Sequence, residues 1–110
     1  MRMWNVDPKL LCRQHLLGEH NEVHAFRGSV KKKISMKGYL EKGLLEIHNL
    51  EKRHNELEEE MISRGYNHKS PFLNDFEVYE CGKINIEDNL RILKEKCLEC
   101  RKRMEGDKNG

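Results

Sequence analysis

A chain of 110 residues with a net charge of +2, 36% hydrophobic and 36% charged, has room for one modest core beneath a strongly ionic surface. No apolar run approaches the roughly 18 residues of a membrane span. No secretory leader opens the chain, so an intracellular protein of cytoplasm or nucleoid is expected, with no membrane partner.

In chain order, Asp7-Pro8 predicts the first helix start, because Asp accepts from orphan amides and proline is pre-set for the first helical position. That helix is expected to reach about Phe26 and to end at Gly28. At about 100° per residue, Leu11, His15, Glu19, Glu22 and Phe26 fall in one stripe, flanked by Cys12, Leu16 and Val23. A short basic helix, Ser29 to Met36, and a glycine-punctuated connection to about Gly43 follow. Ile47, Leu50, Leu57 and Met61, with His54 on the same seam, predict a long amphipathic helix closed by Arg64 and Gly65. Residues 66–84, with Pro71, read as an irregular segment. Asn85 opens a last helix with the seam Ile86, Leu90, Leu93, Cys97 and Met104. The expectation is an all-α single domain over residues 1–110, with three main helices.

The small net charge hides a segregated distribution. Arg27, Lys31, Lys32, Lys33, Lys37 and Lys42 stand against Glu41 alone, whereas Glu46 to Glu60 holds six glutamates against Lys52 and Arg53. The stretch from Arg91 to Lys108 is basic again. Basic blocks flanking an acidic helix suit one face turned toward a polyanion.

Four cysteines in an intracellular chain are not a disulfide framework by default. Cys97 and Cys100 form a CxxC without a second one, so a zinc site needs Cys81, Cys12 or a histidine to complete it. Cys97 lies on an apolar seam and reads as a buried thiol, and no metal or other cofactor is expected. His20 and His24 have i,i+4 spacing but lie away from Glu22, and read as solvated. Trp4 reads as core, and Glu19 as an ion-pair partner.

Lengths bring the start of the chain to Glu22. Helix between Pro8 and Glu22 rises roughly 21 Å at about 1.5 Å per residue. Met1 to Asp7 spans about 20 Å when extended. The chain's α-amine can therefore double back along the first helix to Glu22. An α-amine, with an ordinary pKa near about 7.7–8.0, is substantially unprotonated at neutral pH and can attack carbon. An amine, a carboxyl and a basic surface are the equipment for Schiff-base chemistry on a DNA sugar.

The stretches "LLCRQHLLGEHNEVH" and "EKRHNELEEEMISRGYN" resemble the pyrimidine-dimer DNA glycosylases, the phage-type endonuclease V family. The family's first-helix motif falls on Gln14, His15, Leu16 and the catalytic Glu22. Its arginine after the N-terminal nucleophile falls on Arg2, and its RG-aromatic-N falls on Arg64, Gly65, Tyr66 and Asn67. The resemblance implies a compact helical fold and a bifunctional DNA glycosylase and AP lyase acting on damaged double-stranded DNA, most readily a cyclobutane dimer. The N-terminal amine attacks C1′, the glycosidic bond breaks, and the imine drives β-elimination with Glu22 supporting both halves. The expected DNA contacts are Arg2, Gln14, His15, Arg27, Lys31, Lys32 and Lys33, and a monomer is expected.

Three departures from the family pattern stand out. Its nucleophile is a threonine amine exposed by loss of the initiator Met. Here Arg2 is too bulky for the usual removal, so Met1 takes that role. Two first-helix arginines are replaced by Asn21 and Ala25, with Arg27 as substitute, and the aromatic tail gives way to "RKRMEGDKNG". Two other functions fit the residues: a DNA-binding module of the same fold without the chemistry, and a metal-dependent nuclease using His15, Glu19 and Glu22.

Overall fold

Asp7 and Pro8 do start helical backbone, but for one turn only. In the computed structural model, which describes residues 1–67 and 70–106, the Asp7 side chain accepts from the Lys9 amide and caps a 3-10 turn, Pro8–Leu10. Leu11 then turns extended, with ψ 135°. The carbonyls this break would orphan are met by Arg64, whose Nη2 donates to Pro8 O at 3.1 Å and Leu11 O at 2.7 Å. The first true helix, α1, begins five residues after the expected start and spans Arg13–Lys31, with Cys12 as its N-cap.

Gly28 does not end α1. Nothing forces a left-handed conformation there, and the helix continues to Lys31. Lys33 takes the left-handed position instead, with φ 60°. The Lys33 and Ile34 amides reach back to Val30 and Ser29, a Schellman closure built without glycine. The expected basic helix over Ser29–Met36 is therefore partly the end of α1. A separate short helix, α2 (Lys37–Glu41), forms where a connection was expected.

After a 3-10 turn at Ile47–Asn49, α3 spans Leu50–Ser63. It closes as expected at Arg64 and Gly65: Gly65, at φ +81°, donates to Ile62 O while Tyr66 donates to Met61 O. The described part of 66–84 carries no helix or strand. It is clasped onto the turn before α3. Ile47 donates to Cys81 O, Cys81 to His48 Nδ1, and Ile84 to Glu46 Oε2. Gly82 makes this approach possible: it sits at φ +94°, and a Cβ there would lie 2.0 Å from Leu45 O.

The single last helix expected from Asn85 is two. Asn85 caps α4 (Ile86–Lys96) through the Asp88 amide. Cys97 is then extended (φ −124°, ψ 108°), and α5 runs over Leu98–Gly106. Ile86, expected on the seam, is exposed, and Asn89 is buried in its place with its amide on Trp4 O at 2.8 Å. The basic tail's last charge, Lys108, and residues 68–69 of the irregular segment lie outside the described residues.

The all-α class is as expected, with five helices and no strand among the described residues. The α1–α3 pair is the principal helix packing. Leu16, Val23 and Phe26 of α1 meet Leu50, Leu57 and Met61 of α3, and Met3 and Val6 of the N-terminal segment close the layer. Each fully buried side chain of this kind contributes about 1.5–3 kcal/mol.

Within the core lies a charged pair. Arg53 of α3 grips Glu19 of α1 with Nε at 2.6 Å and Nη2 at 2.8 Å, while Nη1 reaches Val6 O at 2.7 Å and Glu56 at 3.1 Å. Both side chains are about 1% exposed or less. Burial lowers the Arg53 pKa, but the hydrogen bond and charge of Glu19, with those of Glu56, more than offset it and hold it above its ordinary value. Removing one partner strands the other. Arg53→Met is expected to cost about 3–5 kcal/mol in urea unfolding. Adding Glu19→Leu to the same chain should recover most of that loss. A double variant no more stable than the single one would show that the pair's contacts to Val6 and Glu56, rather than the stranded carboxylate, set the cost.

Candidate active site

The N-terminal segment doubles back along α1, as the lengths allowed. Met3 N donates to Leu44 O at 2.8 Å, and Asn5, left-handed at φ 57°, places its amide on Glu46 at 2.9 Å. With the segment pinned at residues 3, 5 and 6, the Arg2 peptide N–H donates to Glu22 Oε2 at 3.1 Å. The first α-amine is thus one residue from a hydrogen bond to the predicted carboxylate.

A cleft of about 360 Å³ opens here, lined by Met1, Arg2, Trp4, His15, Glu22 and Leu44. Met1 is 45% exposed at its mouth, while Glu22 is half-buried. Trp4, read as core, is half-buried and forms a wall: the His15 ring meets it edge-on at 5.6 Å, and the Arg2 guanidinium lies over its face at 4.4 Å. The Arg2 Nε is buried and has no hydrogen-bond partner among the described residues. A larger cleft of about 690 Å³ near Lys31, Met36 and Phe76 contains neither Met1 nor Glu22. The smaller one holds Met1 and Glu22 and is the candidate site.

The structure brings four expected residues together here: Met1, Arg2, His15 and Glu22. Gln14 faces outward into a different depression beside Arg13, Glu99 and Arg103. Arg27 and Lys31 converge on Asp75, the latter at 2.7 Å. Their hydrogen bonds, that of Lys31 foremost, hold the Asp75 carboxyl below its ordinary pKa. Lys32 and Lys33 are exposed at the end of α1. Glu19 is the ion-pair partner expected, and with both oxygens on Arg53 it cannot join His15 and Glu22 in a metal-dependent nuclease centre.

Two clusters were not expected. His20 and His24 are not solvated: His20 is buried and His24 half-buried, their rings meet edge-on at 4.7 Å and lie 5.3 Å and 4.9 Å from the His54 ring, and His24 also meets Phe72. His15, meanwhile, turns its Nδ1 toward Cys12 Sγ (3.2 Å) and Cys100 Sγ (3.5 Å), with Cys97 beside them. Burial pushes the Cys100 thiol up to about 12. Burial also pushes Cys97 upward, but hydrogen bonds from Cys100 and Cys12 outweigh it and leave that thiol below its ordinary value. The pairing of Cys12-x-x-His15 with Cys97-x-x-Cys100 was the sequence sign of this cluster.

The RG-aromatic-N stretch lies outside the lining of the cleft. Arg64 ties the end of α3 to the turn before α1 and to Glu60 at 2.7 Å, and the Arg13 guanidinium lies 4.8 Å over the Tyr66 ring. No helix of the described residues is long and apolar enough to cross a membrane.

Residues 1–74 match the family model for pyrimidine dimer DNA glycosylase. No curated protein and no solved structure matches the chain. The matched region contains the whole cleft, from Met1 through Glu22 to Leu44. With two thirds of its length so matched, the chain belongs to the pyrimidine dimer DNA glycosylase family, a family of DNA repair glycosylases.

Proposed function

We propose that the protein excises a damaged pyrimidine, a cyclobutane dimer first among candidates, and then nicks the strand as an AP lyase. The observation that carries this reading is the Arg2 N–H to Glu22 hydrogen bond, which sets the first α-amine beside a half-buried carboxylate in an open cleft. The unprotonated Met1 amine attacks C1′ of the damaged nucleotide and the base departs with the glycosidic electron pair. The nitrogen loses its proton and the sugar ring opens to an iminium. Loss of a C2′ proton and departure of the 3′ phosphate then break the strand, and water releases the amine. Glu22 takes and returns protons in these steps and stabilises the cationic iminium.

Arg2 and His15 border the reacting sugar, and the Arg2 Nε suits a phosphate oxygen. Lys32 and Lys33 continue the basic surface, with Arg27 and Lys31 held on Asp75 at its edge. Such a face binds duplex by its phosphates while the damaged nucleotide is turned out of the stack. Gln14 lies apart from the cleft and reaches DNA only along the flank of α1.

Borohydride reduction on an abasic duplex tests the amine. The trapped adduct is expected on the peptide that carries Met1, and N-terminal acetylation should abolish it. An adduct on a lysine would overturn the assignment of Met1.

Glu22→Gln preserves shape and removes the ionisable group. It should bind abasic duplex as tightly as the unaltered protein while single-turnover cleavage falls about 10²–10⁴-fold. Cleavage at the original rate would remove Glu22 from the mechanism.

Alanine at Lys31, Lys32 and Lys33 together should weaken binding to intact and abasic duplexes alike. The slope of log affinity against log salt should shallow by about 0.9 for each phosphate that a lysine no longer neutralises. An unchanged slope would move the DNA face toward Arg27 and the C-terminal basic run.

A further inference from the structure

We propose that Cys12, His15, Cys97 and Cys100 together hold a single structural Zn²⁺ ion, against the sequence expectation of no metal. Their four ligand atoms all lie within 4.8 Å of one another. Three edges of the tetrahedron they outline are 3.2 Å and 3.5 Å, from His15 Nδ1 to the sulfurs of Cys12 and Cys100, and 3.9 Å between the sulfurs of Cys12 and Cys97. A tetrahedral zinc with Zn–S near about 2.3 Å and Zn–N near about 2.0–2.1 Å has edges of roughly 3.6–3.8 Å. The set is already shaped for the ion. It does not suit disulfides: all four cysteines of the chain are free, and 3.9 Å is far from the roughly 2.0 Å of an S–S bond.

Backbone N–H groups point at the sulfurs. Cys12 is the N-cap of α1, and its Sγ accepts the His15 amide at 3.5 Å. Cys97 stands in the same relation to α5, its Sγ accepting the Cys100 amide at 3.4 Å. The Cys12 amide in turn donates to Cys100 Sγ at 3.2 Å. Three N–H donors thus point at three sulfurs where two helices begin. On binding, each thiol still protonated releases its proton, and Zn²⁺ with three thiolates and a neutral imidazole carries a net −1. Arg13 and Arg103 border the depression that adjoins Cys12.

Soft sulfur with one imidazole selects zinc among the common divalent ions, and four protein ligands make the site closed and structural. Cys12 and His15 come from the part of the chain that matches the family model, whereas Cys97 and Cys100 lie beyond it. The ion would clip α5 to the head of α1 across 85 residues of sequence. The histidine trio at His20, His24 and His54 is a poorer cage, since the His54 nitrogens already meet Asn55 Oδ1 at 3.1 Å and Ser70 O at 3.2 Å.

The experiment measures metal content of the full chain refolded with excess Zn²⁺ and desalted, followed by replacement with Co²⁺. One zinc per chain is expected, and the cobalt form should show sulfur-to-metal charge transfer at three-thiolate intensity with tetrahedral d–d bands. Cys100→Ser should lower zinc affinity by more than the roughly 10–100-fold that losing an outer-shell partner costs. Cys81→Ser, outside the cluster, should retain one zinc. If Cys100→Ser fails to fold, the cobalt spectrum of the unaltered chain decides alone. Absence of bound metal, a cobalt spectrum without thiolate bands, or a Cys12–Cys97 disulfide in the folded protein would each overturn the proposal.

Discussion

The forked contact of Arg53 with Glu19 is the constraint on which the rest of the molecule depends. A buried ion pair adds little net stability, because desolvation consumes most of its attraction. What it does is forbid alternatives. A carboxylate that must face Arg53 fixes the rotation of α1, and with it the direction of every other side chain on that helix. Glu22, three residues on, lies about 60° around the axis from Glu19. It emerges at the border of the core, half-buried beside the cleft. The same guanidinium holds the Val6 carbonyl, so the segment before α1 is anchored where it must turn back. One side chain sets both the carboxylate and the path that carries the α-amine to it.

That dependence explains which parts of the chain could be read in advance. Reach is a property of backbone geometry, so spacing permitted the meeting of the N-terminus with Glu22 without requiring it, and Glu19 was read as an ion-pair partner without Arg53 being named. The Arg64-Gly65 stop was also legible, because a glycine at a helix end with a basic neighbour has one low-strain use there. Helix ends made by tertiary partners were not. Asp7-Pro8 started only one turn because Arg64, 53 residues beyond Leu11, satisfies the carbonyls of a break at Leu11. Gly28 was passed over because α1 continues through it and Lys33 adopts the left-handed turn. The seam through Cys97 hid a break because a cysteine is apolar in a periodicity count yet caps a helix as an acceptor. His20 and His24 were misread as solvated because the partners that bury them, His54 and Phe72, come from elsewhere in the chain.

The basic surface carries a similar lesson about counting charges. Arg27 and Lys31 are one helical turn apart, and both spend charge on Asp75 from the irregular segment. The block therefore presents less positive potential than its sequence implies, concentrated at Lys32 and Lys33 beyond the clamp. Asp75 also ties that segment to the end of α1, so the clamp aligns the surface as well as weakening it. A DNA phosphate at the proposed face would compete with Asp75 for the same two cations, and salt screens these exposed pairs.

His15 joins the two centres of the molecule. Its ring lines the cleft with Met1 and Glu22, while its Nδ1 faces the cysteines. If Nδ1 held the proposed zinc, the ring would present only its Nε2 N–H to the cleft, as a hydrogen-bond donor. A free imidazole in that wall would be a second base, able to take a proton from the iminium or the sugar at a place not set by the amine. Ligation would remove that capacity. Among the residues lining the cleft, the work of accepting protons would then fall to Glu22, the carboxylate to which the Arg2 amide donates.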